Sequence, residues 1–154
     1  GRTVKGIVCT HAHNDHITVA PELAEKLDTR IFVHPGDQML WEQTHPGVAH
    51  EGLEDGEQFS IADTAMSVIN TPGHSPGSCC LYLPEAHVLL SGDTLFAGGP
   101  GATDDRFIIP DNIDSLKTRI LTLPERTEVY TGHGDATSIG EEAPHLEEWI
   151  ERGY

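Results

Sequence analysis

The stretch Thr10-His11-Ala12-His13-Asn14-Asp15-His16 decides how this chain is read. It follows the apolar run Ile7-Val8-Cys9. In an extended segment alternate side chains share a face, so His11 and His13 can grip one ion together. Asp15 and His16 fall where the chain should turn towards a helix, and there they can face a second ion. Imidazole nitrogen and carboxylate oxygen are donors that suit zinc or non-haem iron. A lone buried His is usually a satisfied core residue. Three His and one Asp within six residues are not explained that way.

Three further candidates lie outward from this stretch, each at the end of a strand-like run and beside glycine. His74 stands in Thr71-Pro72-Gly73-His74-Ser75-Pro76-Gly77, Asp93 in Leu89-Leu90-Ser91-Gly92-Asp93-Thr94, and His133 in Thr131-Gly132-His133-Gly134. Glycine lets the backbone pass close to an ion. Loops at strand ends are where a rigid scaffold presents active groups. Seven ligands suit two ions with a position left open for water, the catalytic pattern and not the closed structural one. Two adjacent cations lower the pKa of a shared water towards ~7 and make a nucleophilic hydroxide available.

Periodicity sketches the scaffold. Residues 4–9 read as a buried strand and residues 21–27 as a short helix with Pro in its first turn. Strands are expected at 31–34, 59–61, 66–69, 79–83 and 87–90, the last two as a hairpin, with a final strand at 128–130. Residues 36–56 look irregular or weakly helical around Trp41, and residues 71–77 and 98–105 look like loops. Ile113, Leu116, Ile120 and Leu123 form a helical stripe, and an acidic helix covers 144–152. Strands interspersed with helices indicate an α/β fold with mixed sheets in a single domain over 1–154.

The formal charge is −16 with His neutral. Nucleic-acid binding needs a basic face, so that class is disfavoured, as are anionic membrane surfaces. The sequence holds no stretch long and apolar enough to span a bilayer. Cys9, Cys79 and Cys80 make no disulfide framework. Cys79 and Cys80 should point to opposite faces of their strand. Reduced, buried thiols and a cytoplasmic location are expected. His34 is a candidate for a supporting role beside the ligands, and Phe96 and Phe107 either line a pocket or only pack. Asp37, Asp104 and Asp105 read most simply as solvated acids.

The motifs resemble those of the metallo-β-lactamase superfamily, nearest to its glyoxalase II-like hydrolases. The resemblance rests on residues 10–16, Asp55-Gly56, residues 71–78, residues 91–99 with Asp93, and Thr131-Gly132-His133-Gly134 followed by residues 137–140. It implies an αββα sandwich with the metals at one edge of two sheets. It implies that His11, His13 and His74 hold one ion, that Asp15, His16 and His133 hold the other, and that Asp93 bridges them. Two zinc ions are the implied cofactors, and Asp15 is implied to orient the attacking hydroxide. The activity implied is cleavage of a thioester or related small acyl substrate.

Three departures qualify the match. Relatives begin with several strands before the first motif, and here one remains. The N-terminal strands are therefore expected to be absent, supplied by an upstream segment or by a second copy in a homodimer. A C-terminal helical domain that binds glutathione has no counterpart after His133. Ala102 stands where relatives carry an Arg, with Arg106 as the candidate replacement. These departures weaken hydroxyacylglutathione as the substrate and leave the hydrolytic chemistry intact. The competing readings are a mononuclear non-haem iron persulfide dioxygenase, with His11, His74 and Asp93 at the iron positions, and a lactonase or β-lactamase-type hydrolase. A non-catalytic binding module would be expected to have lost ligands, and all seven are present.

Overall fold

Strand periodicity sorts the apolar residues into three cores, and those cores define four layers. The computed structural model describes residues 1–103 and 112–153. It begins with β1 (Ile7–Val8), α1 (Asn14–Ile17), α2 (Ala20–Leu27), β2 (Ile31–Val33), α3 (Gln38–Thr44) and β3 (Glu51–Gly52). The three strands form a parallel sheet in the order β1-β2-β3. Within β2, Ile31 and Val33 face one way, towards Ile17, Ala20, Ala24, Leu40 and Trp41 of the helices. Phe32 faces the other way, towards Leu53, Met66, Val68, Cys79 and Leu81.

The second sheet contains β4 (Gln58–Ile61), β5 (Thr64–Asn70), β6 (Cys79–Leu83), β7 (Val88–Gly92), β10 (Glu128–Thr131) and β11 (Thr137–Ser138), in the order β11-β10-β7-β6-β5-β4. Cys79, Leu81 and Leu83 turn inwards to the first sheet. Cys80 and Tyr82 turn outwards to Leu89, Leu116, Ile120, Val129 and Trp149. That outer core is closed by α4 (Asn112–Ser115), α5 (Ile139–Glu142) and α6 (Leu146–Arg152). The result is helices, sheet, sheet, helices: the αββα sandwich. The three cysteines are free and buried, with Cys79 and Cys80 on opposite faces as strand alternation requires.

Several expectations are corrected. The first strand covers Ile7–Val8 and not residues 4–9. Residues 38–44 form a regular helix that buries Leu40 and Trp41. The loop after Asp93 contains a hairpin of β8 (Leu95–Phe96) and β9 (Gly99–Pro100). Strand β10 is not the last, because β11 pairs with it antiparallel, Glu128 against Ser138. The stripe from Ile113 is helical but widens into a π turn at Leu116–Ile120, where Leu121 N reaches Leu116 O at 2.8 Å. Asp104, Asp105, Arg106 and Phe107 lie outside the described residues. Among the described residues, no helix is long and apolar enough to cross a membrane. An apolar groove of about 520 Å³ runs between the free edges of β1 and β4, and none of the seven candidate ligands lines it.

Candidate metal centre

All seven candidate ligands meet at one end of the two sheets. His11 and His13 leave the end of β1, and α1 turns Asp15 and His16 over them in a single helical turn. His74 sits in the loop between β5 and β6, Asp93 just past β7, and His133 just past β10. The carbonyl of Thr10 accepts from Cys79 N at 2.7 Å, which fixes the first motif to the start of β6.

Ligand atoms of His11, His13 and His74 lie within 4.8 Å of one another, as do those of Asp15, His16 and His133, and those of His11, His16 and Asp93. His13 Nδ1 stands 3.0 Å from His74 Nε2, and His16 Nε2 stands 3.0 Å from His133 Nε2. Asp93 lies between the two groups. Its Oδ2 is 3.4 Å from His74 Nε2 and 3.6 Å from His133 Nε2, and its Oδ1 is 3.4 Å from His16 Nε2. Asp15 Oδ2 is 3.1 Å from His133 Nε2, on the open side of the cluster, where both side chains are about half exposed.

Three of the donors, His11, His74 and Asp93, have the protonation a cation needs. His74 Nδ1 is 2.7 Å from the carbonyl of Ala102, which can only accept. Nδ1 therefore carries the proton, and Nε2 presents its lone pair to the cluster. Burial pushes His11 down to about 2, reinforced by its imidazole neighbours His16 and His74, so this ring stays neutral. His74 is also lowered, chiefly by burial. Burial acts to raise Asp93, but the contact with His16 outweighs it and holds the group below its ordinary value, a carboxylate. The Asp93 carboxylate holds His16 above its ordinary value.

His11 Nε2 and Asp93 Oδ1 are buried without a hydrogen-bond partner among the described residues. The 3.4 Å approach of His16 to Asp93 Oδ1 is an electrostatic contact and falls short of a well-formed hydrogen bond. Buried polar atoms left unpaired are costly and uncommon. Converging lone pairs on two orphaned atoms fit a cation, and the nitrogen and oxygen donor set fits zinc or iron.

Glycine makes the packing feasible. A Cβ on Gly132 would collide with Asp93 Oδ1 and come within 3.0 Å of His16 Cε1. Phe96 lies at the rim, its ring centroid 6.4 Å from that of His133. His34, the candidate for a supporting role, caps the turn that leads to Asp37: its Nδ1 accepts from Gly36 N at 3.1 Å. Asp37, expected to be solvated, is fully buried and accepts from Ala12 N, Ser75 Oγ and Gly77 N. Its sequence context, His34-Pro35-Gly36-Asp37 at a strand end, has the same form as the ligand loops and could have flagged it.

Residues 1–133 match the sequence profile of the Metallo-beta-lactamase superfamily. The probable metallo-hydrolase YqgX of Bacillus subtilis is 38% identical over 157 residues, spanning 90% of this chain and 72% of that protein. The hydroxyacylglutathione hydrolase of Rhizobium meliloti is 33% identical over 127 residues, spanning 82% of this chain and 47% of that protein. Among solved structures, TTHA1623 in a di-iron-bound form is 35% identical with a TM-score of 0.76, covering 90% of this chain and 74% of that one. With this fold and this sequence match, the chain belongs to the metallo-β-lactamase superfamily.

Proposed function

We propose that this metal-dependent hydrolase is a dinuclear zinc enzyme that cleaves a thioester or a related small acyl substrate. The observation that carries the proposal is the position of Asp93, whose two oxygens approach His16, His74 and His133 at 3.4–3.6 Å. One carboxylate thus reaches imidazoles of both ligand groups. In this reading His11, His13 and His74 hold the first ion, Asp15, His16 and His133 hold the second, and Asp93 is shared. Zinc bound there supplies a water activated at neutral pH and a Lewis acid for the scissile carbonyl.

The chain's own residues do the rest. The Ala102 carbonyl fixes the ring of His74. Asp15 points Oδ2 at His16 and His133, and its other carboxylate oxygen, at the exposed mouth, would accept a hydrogen bond from the attacking water and orient it. Phe96 offers an apolar wall to the acyl group. Similarity to a hydroxyacylglutathione hydrolase supports a thioester. Ala102 in place of a cation argues for a substrate without glutathione's carboxylates. Three buried free thiols suit a reducing cytoplasm.

Iron is the second reading for the metal, because a structure 35% identical to this chain was solved with two irons; two irons per chain with thioester turnover would replace zinc and keep the dinuclear hydrolase. Elemental analysis of protein purified without added metal, followed by thiol-release assays on a thioester panel, tests the proposal. About two zinc per chain and thioester turnover that Asp93→Asn abolishes are the expected results. About one iron per chain, with oxygen consumed on a persulfide, would overturn it in favour of a dioxygenase.

A further inference from the structure

Asp37 is a carboxylate sealed in the interior that the proposed chemistry does not use. Its exposure is 0%. Oδ2 accepts from Ala12 N and Ser75 Oγ, each at 2.8 Å, and Oδ1 accepts from Gly77 N at 2.6 Å. Among the described residues no Lys or Arg pairs with it; Lys26, Arg30, Arg119 and Arg152 pair elsewhere. A buried charge without a counter-ion is tolerated only when its lone pairs are well satisfied.

The three donors share one property. Ala12 lies between His11 and His13, Ser75 directly follows His74, and Gly77 closes the His74 loop. The backbones here are as close as chains can come. A Cβ on Gly77 would stand 2.6 Å from Asp37 N and 2.8 Å from Asp37 Cγ, and one on Gly36 would stand 2.9 Å from the Pro76 carbonyl. No added side chain fits between residues 36–37 and 76–77, and the Asp37 carboxylate is what joins Ala12, next to the end of β1, to the His74 loop.

We infer that Asp37 is a positioning residue for the three imidazoles of the first ion. It sets the distance between the end of β1 and the His74 loop, and so keeps His13 Nδ1 and His74 Nε2 3.0 Å apart. The inference rests on reading His11, His13 and His74 as ligands of one ion. The other group, Asp15, His16 and His133, takes none of its members from the His74 loop, so the effect belongs to one ion of the two.

Zinc affinity of the full chain, measured by competition with a chromophoric chelator, tests this. The parent should give two stepwise constants, and His13→Ala identifies the first-ion constant as the one it eliminates. In Asp37→Asn a single carbonyl oxygen replaces two, so the N–H of Ala12 or of Gly77 must face an amide N–H. The first-ion constant should weaken roughly 10- to 100-fold while the other stays at the parental value. Ser75→Ala, which removes one donor of three, should weaken the same constant by a smaller factor, and it decides alone if Asp37→Asn does not fold. Two unchanged constants would overturn the inference. So would equal weakening of both alongside a lower melting temperature of the metal-free protein, which is the behaviour of a purely structural residue. A parent that binds one ion, with His13→Ala unaffected, sinks the two-metal reading and this inference with it. A parent that binds two ions, with both variants matching it, sinks the positioning role alone.

Discussion

Gly132→Ala adds one methyl group at a crowded point of the candidate metal centre. An ideal Cβ there collides with Asp93 Oδ1, lies 3.0 Å from His16 Cε1 and lies 3.1 Å from the Gly92 carbonyl carbon. The backbone has little room to retreat, because Gly132 N donates to Gly92 O at 2.7 Å. The Asp93 carboxylate must therefore swing away by about 1 Å or more to reach ordinary contact. A displacement of about 1 Å in an aligned site costs on the order of 100-fold in rate. Overpacking adds about 1–3 kcal/mol of destabilisation. The assay is zinc per chain and kcat/KM for thioester cleavage, on protein whose fold is checked by circular dichroism. Gly56→Ala is the control: its φ is +77° and a Cβ there meets nothing within 4 Å. That change costs about 1–2 kcal/mol through the left-handed backbone and leaves zinc uptake intact. A Gly132→Ala protein with parental zinc content and parental rate would refute the placement of Asp93 at the shared position.

Trp41→Ala should cost about 3–5 kcal/mol in urea unfolding, since the indole is fully buried and its Nε1 donates to Val48 O at 2.8 Å. Asp55→Asn removes a half-exposed carboxylate that Arg119 grips with both guanidinium nitrogens, at 2.9 and 3.1 Å. Burial acts to raise Asp55, but Arg119 and the Asn70 N–H outweigh it and hold the group below its ordinary 3.8. Its stabilisation is therefore present above that pH and lost as pH falls through the lower folded value. The variant should lose about 1 kcal/mol or less at neutral pH, and the gap from the parent should close in acid. Chelation should abolish turnover and lower the melting temperature. Zinc returned at 100 times its dissociation constant should restore about 2.7 kcal/mol per site; a melting temperature indifferent to zinc would contradict a site built for the ion.

The cluster of candidate ligands was legible because its chemistry is local. His11, His13, Asp15 and His16 announce themselves within six residues, and His74, Asp93 and His133 each follow an apolar run and touch glycine. The two faces of the second sheet were legible in the same way, through alternation at Cys79 to Leu83. Asp37 was read as solvated despite its ligand-like setting, since its partners are 25, 38 and 40 residues away and two of the three are backbone N–H groups that carry no residue identity. Strand β11 was missed because two residues have no period, and only pairing with Glu128 and Val129 makes them a strand. Helix α3 was read as irregular or only weakly helical because its buried residues, Leu40 and Trp41, are adjacent and leave no stripe to read.

The adjacent thiols of Cys79 and Cys80 have a consequence for how this molecule can be watched. Each opens onto a different core, Cys79 between the sheets and Cys80 beneath the outer helices. Burial pushes both up, to about 12 and about 11, so neither reacts while its layer is closed. A thiol reagent under native conditions then counts three separate events, with Cys9 reporting on the inner helices, and two of them fall at neighbouring positions of one strand: parting of the sheets at Cys79, and lifting of the outer helices at Cys80. The ratio of their labelling rates reads directly which seam of the sandwich gives way first.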